Sequence, residues 1–340
     1  MGCPGNQDLQ FVYGVAAPSG TPKATIVFLA GDGGVVAADG PEEQVLLARY
    51  VNDGYQVVQI AWGPHQEGQD WEITNVANAP SILVGACRPA TFLNWVRNGN
   101  SGVGNGIWAG NGGMCAEGHS AGSGAIAYAL TWYNAGAASA ATNGQGYLDK
   151  VILDSGPVFS DIRQGCEVPN NQYTTICNSP GQTGCEGWSD PAPASLEFTN
   201  GYNAEVNTWS GNTTSPSCAN NTTPTTYNTQ WFNMSILAPA QGGQTPSFNY
   251  TKTTMSAYLC ASGAPGVITN NVAAQGQLYY AQFTNQSQAG ESLGVWAVSG
   301  CPSTEGIYGT GSTVVSTGIA ASDAIFTDMT TSCKPNHGTQ

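Results

Sequence analysis

Short apolar runs alternate with helix-like segments from the N-terminal part of the chain to Leu153, and this alternation limits the possible folds. Continuous aliphatic and β-branched runs are typical of strands buried on both faces, as in parallel sheets. Parallel neighbours need a crossover connection, usually a helix, so the pattern predicts a mostly parallel α/β sheet with helices on both faces. The predicted strands are 24–30, 56–62, 108–117 and 149–153, and the predicted helices are 41–53, 90–97 and 121–133.

The composition changes between residues 165 and 250, where Asn, Thr, Pro and Gly dominate and hydrophobic periodicity is weak. Four cysteines and three tryptophans in this segment distinguish it from a linker. We predict one domain, 1–340, with 165–250 as a disulfide-rich insertion that caps the core. Regular signals return afterwards as strand 254–261, helix 272–283, strand 293–298 and helix 314–329.

Charged residues make up only 9% of the 340 residues, and the formal net charge is −14. An average soluble domain has about 25% charged residues, and a surface this poor in lysine favours an extracellular protein. The negative field repels phosphate backbones and anionic lipid, so we expect no nucleic-acid partner. No apolar stretch is long enough to span a bilayer, and a monomer is expected.

Ten cysteines form an even set without a Cys-x-x-Cys pair, and only three histidines are present. This pattern favours disulfides and a secreted protein over a zinc or redox site, although buried free thiols stay an alternative. The pairing cannot be derived from the spacing. Six Asn-x-Ser/Thr sequons predict a glycoprotein in a eukaryotic secretory host, and they begin at Asn212, Asn220, Asn221, Asn233, Asn249 and Asn285.

Residues Gly118-His119-Ser120-Ala121-Gly122 match the pattern Gly-x-Ser-x-Gly. In this motif a strand turns sharply into a helix and holds a serine in a strained conformation, while the glycines allow close backbone approach. In a chain with 45 glycines the string also fits a small-residue turn. The apolar segment before it and the helix-compatible segment after it favour a nucleophile elbow at Ser120.

These features resemble the secreted esterase and lipase branch of the α/β-hydrolase superfamily, closely over residues 22–160 and loosely over the last eighty. The resemblance implies a Ser–His–acid triad, a cap and no cofactor. Ser120 would be the nucleophile and the Ala121 amide one oxyanion donor. Asp32 or Gly33, in the glycine-rich loop after the first buried strand, would supply the second donor.

The histidine is harder to place, because the only three are His65, His119 and His337. His119 directly precedes the serine and is expected to pack structurally. His65 precedes the serine in the chain and would break the order of the family, in which the histidine comes last. His337 is therefore our candidate base, although a terminal histidine without function is an equal alternative.

The acid is also open, since residues 262–271 contain no Asp or Glu. Glu305 is the first candidate and Asp154 the second. A Cys301–Cys333 disulfide would be one way to return His337 towards Glu305. The sequence thus predicts a secreted serine hydrolase acting on a carboxylic ester, whether small, lipid or polymeric. The alternative is a degenerate binding protein that has kept the pocket and lost the triad.

Overall fold

The structure is a computed structural model. Four predicted site residues, Asp32, Gly33, Glu305 and His337, lie outside the residues that it describes. The described residues are 11–31, 37–38, 40–62, 82–99, 107–110, 112–135, 147–154, 156, 158–161, 232–240, 244–248, 250, 253–260, 276, 279–280, 282–283, 294–299, 314–315 and 319–334.

The described strands form one sheet in the order β1-β3-β2-β4-β5-β6-β7-β8. The six strands from β2 to β7 are parallel, whereas β1 and β8 are antiparallel edge strands. This arrangement confirms the predicted α/β-hydrolase-like fold class. The strands are β1 (Phe11–Ala16), β2 (Thr25–Leu29), β3 (Gln56–Trp62), β4 (Met114–His119), β5 (Lys150–Asp154), β6 (Thr254–Cys260), β7 (Gly294–Ser299) and β8 (Val314–Val315).

Helices cover both faces of the sheet, α3 and α4 on one and α1 and α5 on the other. Helix α1 begins at Pro41, whose fixed φ suits a first helical position. The positive end of the helix dipole stabilises the negative charges of Glu42 and Glu43 in the first turn. None of the helices in the described ranges is long and apolar enough to cross a membrane. The helices are α1 (Pro41–Asn52), α2 (Ile82–Gly85), α3 (Cys87–Asn98), α4 (Ala121–Tyr133) and α5 (Ala321–Ser332).

Strand β4 lies inside the sheet and contributes to both hydrophobic layers. Met114 and Ala116 pack in the layer formed with α3 and α4, whereas Cys115 packs in the layer formed with α1 and α5. Successive side chains of a strand point to opposite faces, so Glu117 and His119 share the face of Cys115. Both are buried, which places two ionisable groups beneath the α1 and α5 layer.

The described part of the predicted cap segment, within residues 232–250, packs against α4. The Tyr128 hydroxyl donates to the carbonyl of Met234 at 2.6 Å, and the Trp132 indole N–H donates to the carbonyl of Ile236 at 3.1 Å. Met234 and Ile236 are buried in the same layer as α4. This end of the segment therefore belongs to the core, and a cap built by the remainder stays a prediction.

Several predicted bounds are confirmed, and the start of the last predicted helix needs correction. Strand 56–62 and helix 121–133 match β3 and α4 at both ends. The predicted helix 314–329 is wrong at its start, because Val314 and Val315 pair with β7 as an edge strand and α5 begins only at Ala321. Two β-branched residues in a row favour this pairing over a helix.

The disulfide between Cys115 and Cys333 joins β4 to the end of α5 across a sequence separation of 218. The proposed Cys301–Cys333 bridge is therefore wrong, since Cys333 is already paired. Spacing alone could not show this, because the partner lies in a central strand far along the chain. Cys87 is also disulfide-bonded, so the prediction of disulfides is confirmed for three of the cysteines.

Candidate active site

Ser120 lies at the turn between β4 and α4 with φ 48° and ψ −122°. Side chains with a Cβ atom rarely adopt a positive φ, and such a conformation typically costs about 1–3 kcal/mol. It persists only where the surrounding structure fixes it. The strained strand-to-helix turn predicted from the motif is thus observed, while the role of Ser120 as nucleophile stays a prediction.

Glycines surround this turn because a residue with a Cβ atom would not fit at their positions. A Cβ atom on Gly118 would lie 2.4 Å from the carbonyl oxygen of Gly122, and one on Gly122 would lie 2.0 Å from that of Leu29. A Cβ atom on Gly156 would lie 2.2 Å from the carbonyl oxygen of Ser120. The motif glycines therefore bring β2, β4 and α4 together at the distance that the turn requires.

Hydrogen bonds hold the backbone of Ser120 on both sides. Its N–H donates to the carbonyl of Asp154 at 3.0 Å, and its carbonyl accepts from the N–H of Ser123 at 2.9 Å. The Ser123 hydroxyl lies 2.6 Å from the Gly118 carbonyl oxygen and 2.8 Å from that of Asp154, and it donates its one proton to either. The end of β5 and the first turn of α4 thus fix the turn together.

The Ala121 amide is the first of α4. The first N–H groups of a helix have no intrahelical acceptor, and the helix dipole favours negative charge beside them. Gly122 also packs against the carbonyl oxygens of Leu29 and Ala30, where β2 ends. The loop that contains Asp32 and Gly33 therefore begins beside the elbow, although these two residues lie outside the described part of the chain.

Lys334, the last residue that the structure describes, lies at the other end of β4. The backbone of Lys334 lies 3.0 Å from the position of a Cβ atom on Gly113. Ser120 lies seven positions after Gly113, which is about 23 Å along a strand. The three residues from Lys334 to His337 span at most about 11 Å. As the base, His337 would have to return along most of this distance, and its role as the base stays a prediction.

His119 and Asp154 form a buried pair beneath the elbow. The His119 Nδ1 atom lies 2.5 Å from Asp154 Oδ1, and its Nε2 atom lies 3.6 Å from Glu43 Oε1. All three side chains are buried. The expectation that His119 packs structurally agrees with this placement, and the carboxylate of Asp154, our second candidate acid, faces His119.

Further ionisable groups continue along the same face of the sheet. The Tyr50 hydroxyl donates to Glu117 Oε2 at 2.7 Å, and burial followed by the charge of Glu117 raises the pKa of Tyr50 well above its ordinary value. The Lys150 ammonium lies 2.6 Å from Asp328 Oδ1, which ties β5 to α5. Among the described residues, no group of three or more His, Cys, Asp or Glu side chains is arranged to hold a metal ion.

Sequence reasoning did not find the contact between Glu43, His119 and Asp154. His119 and Asp154 are adjacent because β4 and β5 pair in parallel with these two residues in register. That register is set by packing and cannot be derived from the sequence of either strand. In the sequence, Glu43 is recognisable only as an acidic residue in the first turn of a helix, which does not indicate a contact with His119.

No protein-family model matches the sequence, and no curated protein is significantly similar to it. Among solved structures, the chain is similar to esterase 2 of Thermogutta terrifontis phosphonylated by sarin, at 13% identity and a TM-score of 0.47, covering 96% of this chain and 93% of that chain. It is also similar to the carboxylesterase EstE1, cloned from a metagenomic library, at 14% identity and a TM-score of 0.47, covering 96% and 90%.

A third similar structure is the monoacylglycerol lipase of Paleococcus ferrophilus, at 11% identity and a TM-score of 0.41, covering 94% of this chain and 97% of that chain. Similarities at this level carry no conclusion about activity. The assignment of an α/β-hydrolase fold rests on this chain's own strand order and on the turn at Ser120.

Proposed function

We propose that the protein is a serine hydrolase that cleaves carboxylic esters with Ser120 as its nucleophile. The main support is the strained positive φ of Ser120 between a buried parallel strand and the first amide of α4. Structural turns rarely need such strain, whereas a nucleophile held at a helix N-terminus gains a ready donor for a developing oxyanion.

In the proposed reaction, Ser120 Oγ attacks the ester carbonyl carbon while a histidine accepts the hydroxyl proton. The Ala121 amide, with Asp32 or Gly33, donates hydrogen bonds to the tetrahedral oxyanion. The intermediate collapses, the C–O bond to the alcohol breaks, and the histidine returns its proton to the departing alcohol. Water then attacks the acyl-enzyme by the same route and releases the acid and Ser120.

His337, oriented by Glu305, is the candidate base, and both residues lie outside the described ranges. A secreted, extracellular and glycosylated monomer is proposed from the disulfides and the charge-poor composition. We propose that residues 165–250 cover the site and select the ester. Small-molecule, lipid and polymeric esters are all compatible with this chemistry.

A degenerate binding protein is the second candidate function. The loop after β7 contains no histidine within residues 300–306, and residues 262–271 after β6 contain no carboxylate. A base at His337 would also have to return along most of β4 from Lys334, which lies beside Gly113. A protein of this kind would keep the fold and the turn but leave Ser120 without a base.

A fluorophosphonate probe distinguishes the two candidates, because it reacts with activated serines and requires no knowledge of the substrate. We expect labelling of the parent protein at Ser120 and hydrolysis of short-chain p-nitrophenyl esters. Ser120→Ala should abolish both with a nearly unchanged melting temperature. Ser19→Ala, at an exposed position, serves as the matched control and should label like the parent. A folded parent that neither labels nor hydrolyses would favour the binding protein.

A further inference from the structure

The imidazole of His119 contacts a carboxylate at each ring nitrogen. Asp154 comes from the end of β5 and Glu43 from the first turn of α1, and their exposed fractions are 0% and 3%. Nδ1 lies within hydrogen-bond distance of Asp154 Oδ1, at 2.5 Å, whereas the 3.6 Å between Nε2 and Glu43 Oε1 is an ion-pair contact.

Asp154 also contacts Ser120 through its backbone. Its carbonyl oxygen accepts the Ser120 N–H at 3.0 Å, while its carboxylate oxygen lies 2.5 Å from His119. One residue of β5 therefore holds the serine and the residue before it at the same time. The side chain of His119 points to the opposite face of the sheet from Ala116 and α4, and Asp154 contacts both His119 and the backbone of Ser120.

We propose that His119 is a positioning residue that acts through Asp154, with Glu43 as its second anchor, to hold Ser120 in the strained conformation of the elbow. A positive φ at a residue with a Cβ atom relaxes unless its neighbours are fixed on both sides. The first turn of α4 fixes the C-terminal side. The buried contacts of His119 with Asp154 and Glu43 fix the N-terminal side and join α1, β4 and β5 at the point where β4 ends.

The expected change in labelling rate and kcat rests on the proposed function, whereas the expected change in hydrogen exchange does not. His119→Ala should speed amide hydrogen exchange in the elbow, at residues 118–123, relative to the rest of β4. It should also slow fluorophosphonate labelling and lower kcat by about 10- to 100-fold with little change in KM, because a small misplacement of a reacting group has an effect of this size.

Asp328→Asn provides the matched control on the same face of the sheet. It weakens the buried contact with Lys150, which lies four residues before Asp154 and about 13 Å along β5 from the elbow. We expect it to lower the melting temperature without changing elbow exchange or the labelling rate. Asp154→Asn keeps an acceptor for the His119 Nδ1–H and should behave closer to the parent than Asp154→Ala, which removes it.

Elbow exchange in His119→Ala and Asp328→Asn is compared under conditions in which both variants have lost the same stability, as judged by melting temperature. Faster elbow exchange in His119→Ala, but not in Asp328→Asn, supports the proposal even if the parent does not react with the probe. In that case only the hydrolase function fails. A folded His119→Ala protein with elbow exchange equal to the parent overturns the proposal, whether or not Ser120 is labelled. If His119→Ala does not fold, the same comparison is made with His119→Gln, which keeps a single donor.

Discussion

Cys115 and Ser120 lie at opposite ends of β4, and the disulfide from Cys115 to Cys333 fastens the C-terminal helix at the end away from the serine. Both sulfur-bearing side chains are buried, with exposed fractions of 0% and 4%. The bridge therefore anchors α5 to the core at a distance from Ser120. Stability and reactivity of the chain should respond separately to changes at the two ends of this strand.

Removal of this bridge tests its role in stability. The double variant Cys115→Ala with Cys333→Ala should lower the free energy of unfolding by about 2–5 kcal/mol, because the bridge closes a loop of more than two hundred residues in the unfolded chain. Chemical denaturation measures the change. Fluorophosphonate labelling of the remaining folded protein should be unchanged. Ten titratable thiols in the native protein would contradict the disulfide-bonded state.

Gly122→Ala should be among the most damaging single substitutions in the chain. Its Cβ atom would lie 2.0 Å from the carbonyl oxygen of Leu29, and rigid backbone cannot move aside cheaply. We expect a loss of about 3 kcal/mol or more in thermal or chemical unfolding. Gly20→Ala is the control, since no atom lies within 4 Å of its added Cβ, and it should change stability by less than about 0.5 kcal/mol.

Truncation after Lys334 tests His337 as the general base. Such a base is typically worth about 10²–10⁴-fold, so the truncation should lower turnover at least about a hundredfold without unfolding the core. Glu305→Gln should have a smaller effect, because it orients the base and does not carry the proton. Unchanged turnover in a truncated protein that still depends on Ser120 would make His337 a bystander. His65 and Glu305 would then be the bases to test.

Alkaline pH should destabilise the fold through its buried tyrosines. Burial is the main cause that raises the pKa of eight of them, namely Tyr50, Tyr55, Tyr133, Tyr147, Tyr250, Tyr258, Tyr279 and Tyr280. Above a pH of about 10 the unfolded chain loses tyrosine protons that the folded chain keeps, so the free energy of unfolding falls as pH rises. Thermal melts followed by circular dichroism, with tyrosinate absorbance recorded in parallel, measure this loss.

Tyr280→Phe is the control for this pH dependence. Within the described part of the chain, the Tyr280 hydroxyl is buried without a hydrogen-bond partner. Removing this hydroxyl should raise the free energy of unfolding by about 1 kcal/mol at neutral pH. Its fall with rising alkaline pH should become less steep, by the contribution of one tyrosine. An alkaline slope equal to that of the parent would show that Tyr280 does not contribute to it.

The sequence predicted the central strands and helices well, because their apolar patterns are strong and local. Residues 56–62 and 121–133 are examples in which the apolar run and the element coincide. The elbow at Ser120 could be predicted because the motif is local: the two glycines allow close backbone approach, and the serine stands at the sharp turn between them. Strand β1 was missed, since its alternation is weak and its residues are all exposed.

Long-range relationships could not be predicted in the same way. The pairing of Cys115 with Cys333 depends on where α5 crosses the sheet, and the contact of His119 with Asp154 depends on the register of two strands. Neither is encoded in a local pattern. The general base could not be predicted from a local pattern either, because three scattered histidines give no periodic signal.

Strand β1 has a consequence for the behaviour of the protein in concentrated solution. It is an edge strand without a charged residue or proline, and Val12 and Tyr13 are 57% and 44% exposed. Edges of this kind can pair with other chains unless something keeps the copies apart. The net charge of −14 supplies that colloidal repulsion. High salt, or acid that protonates the carboxylates, should remove the barrier and let copies adhere edge to edge.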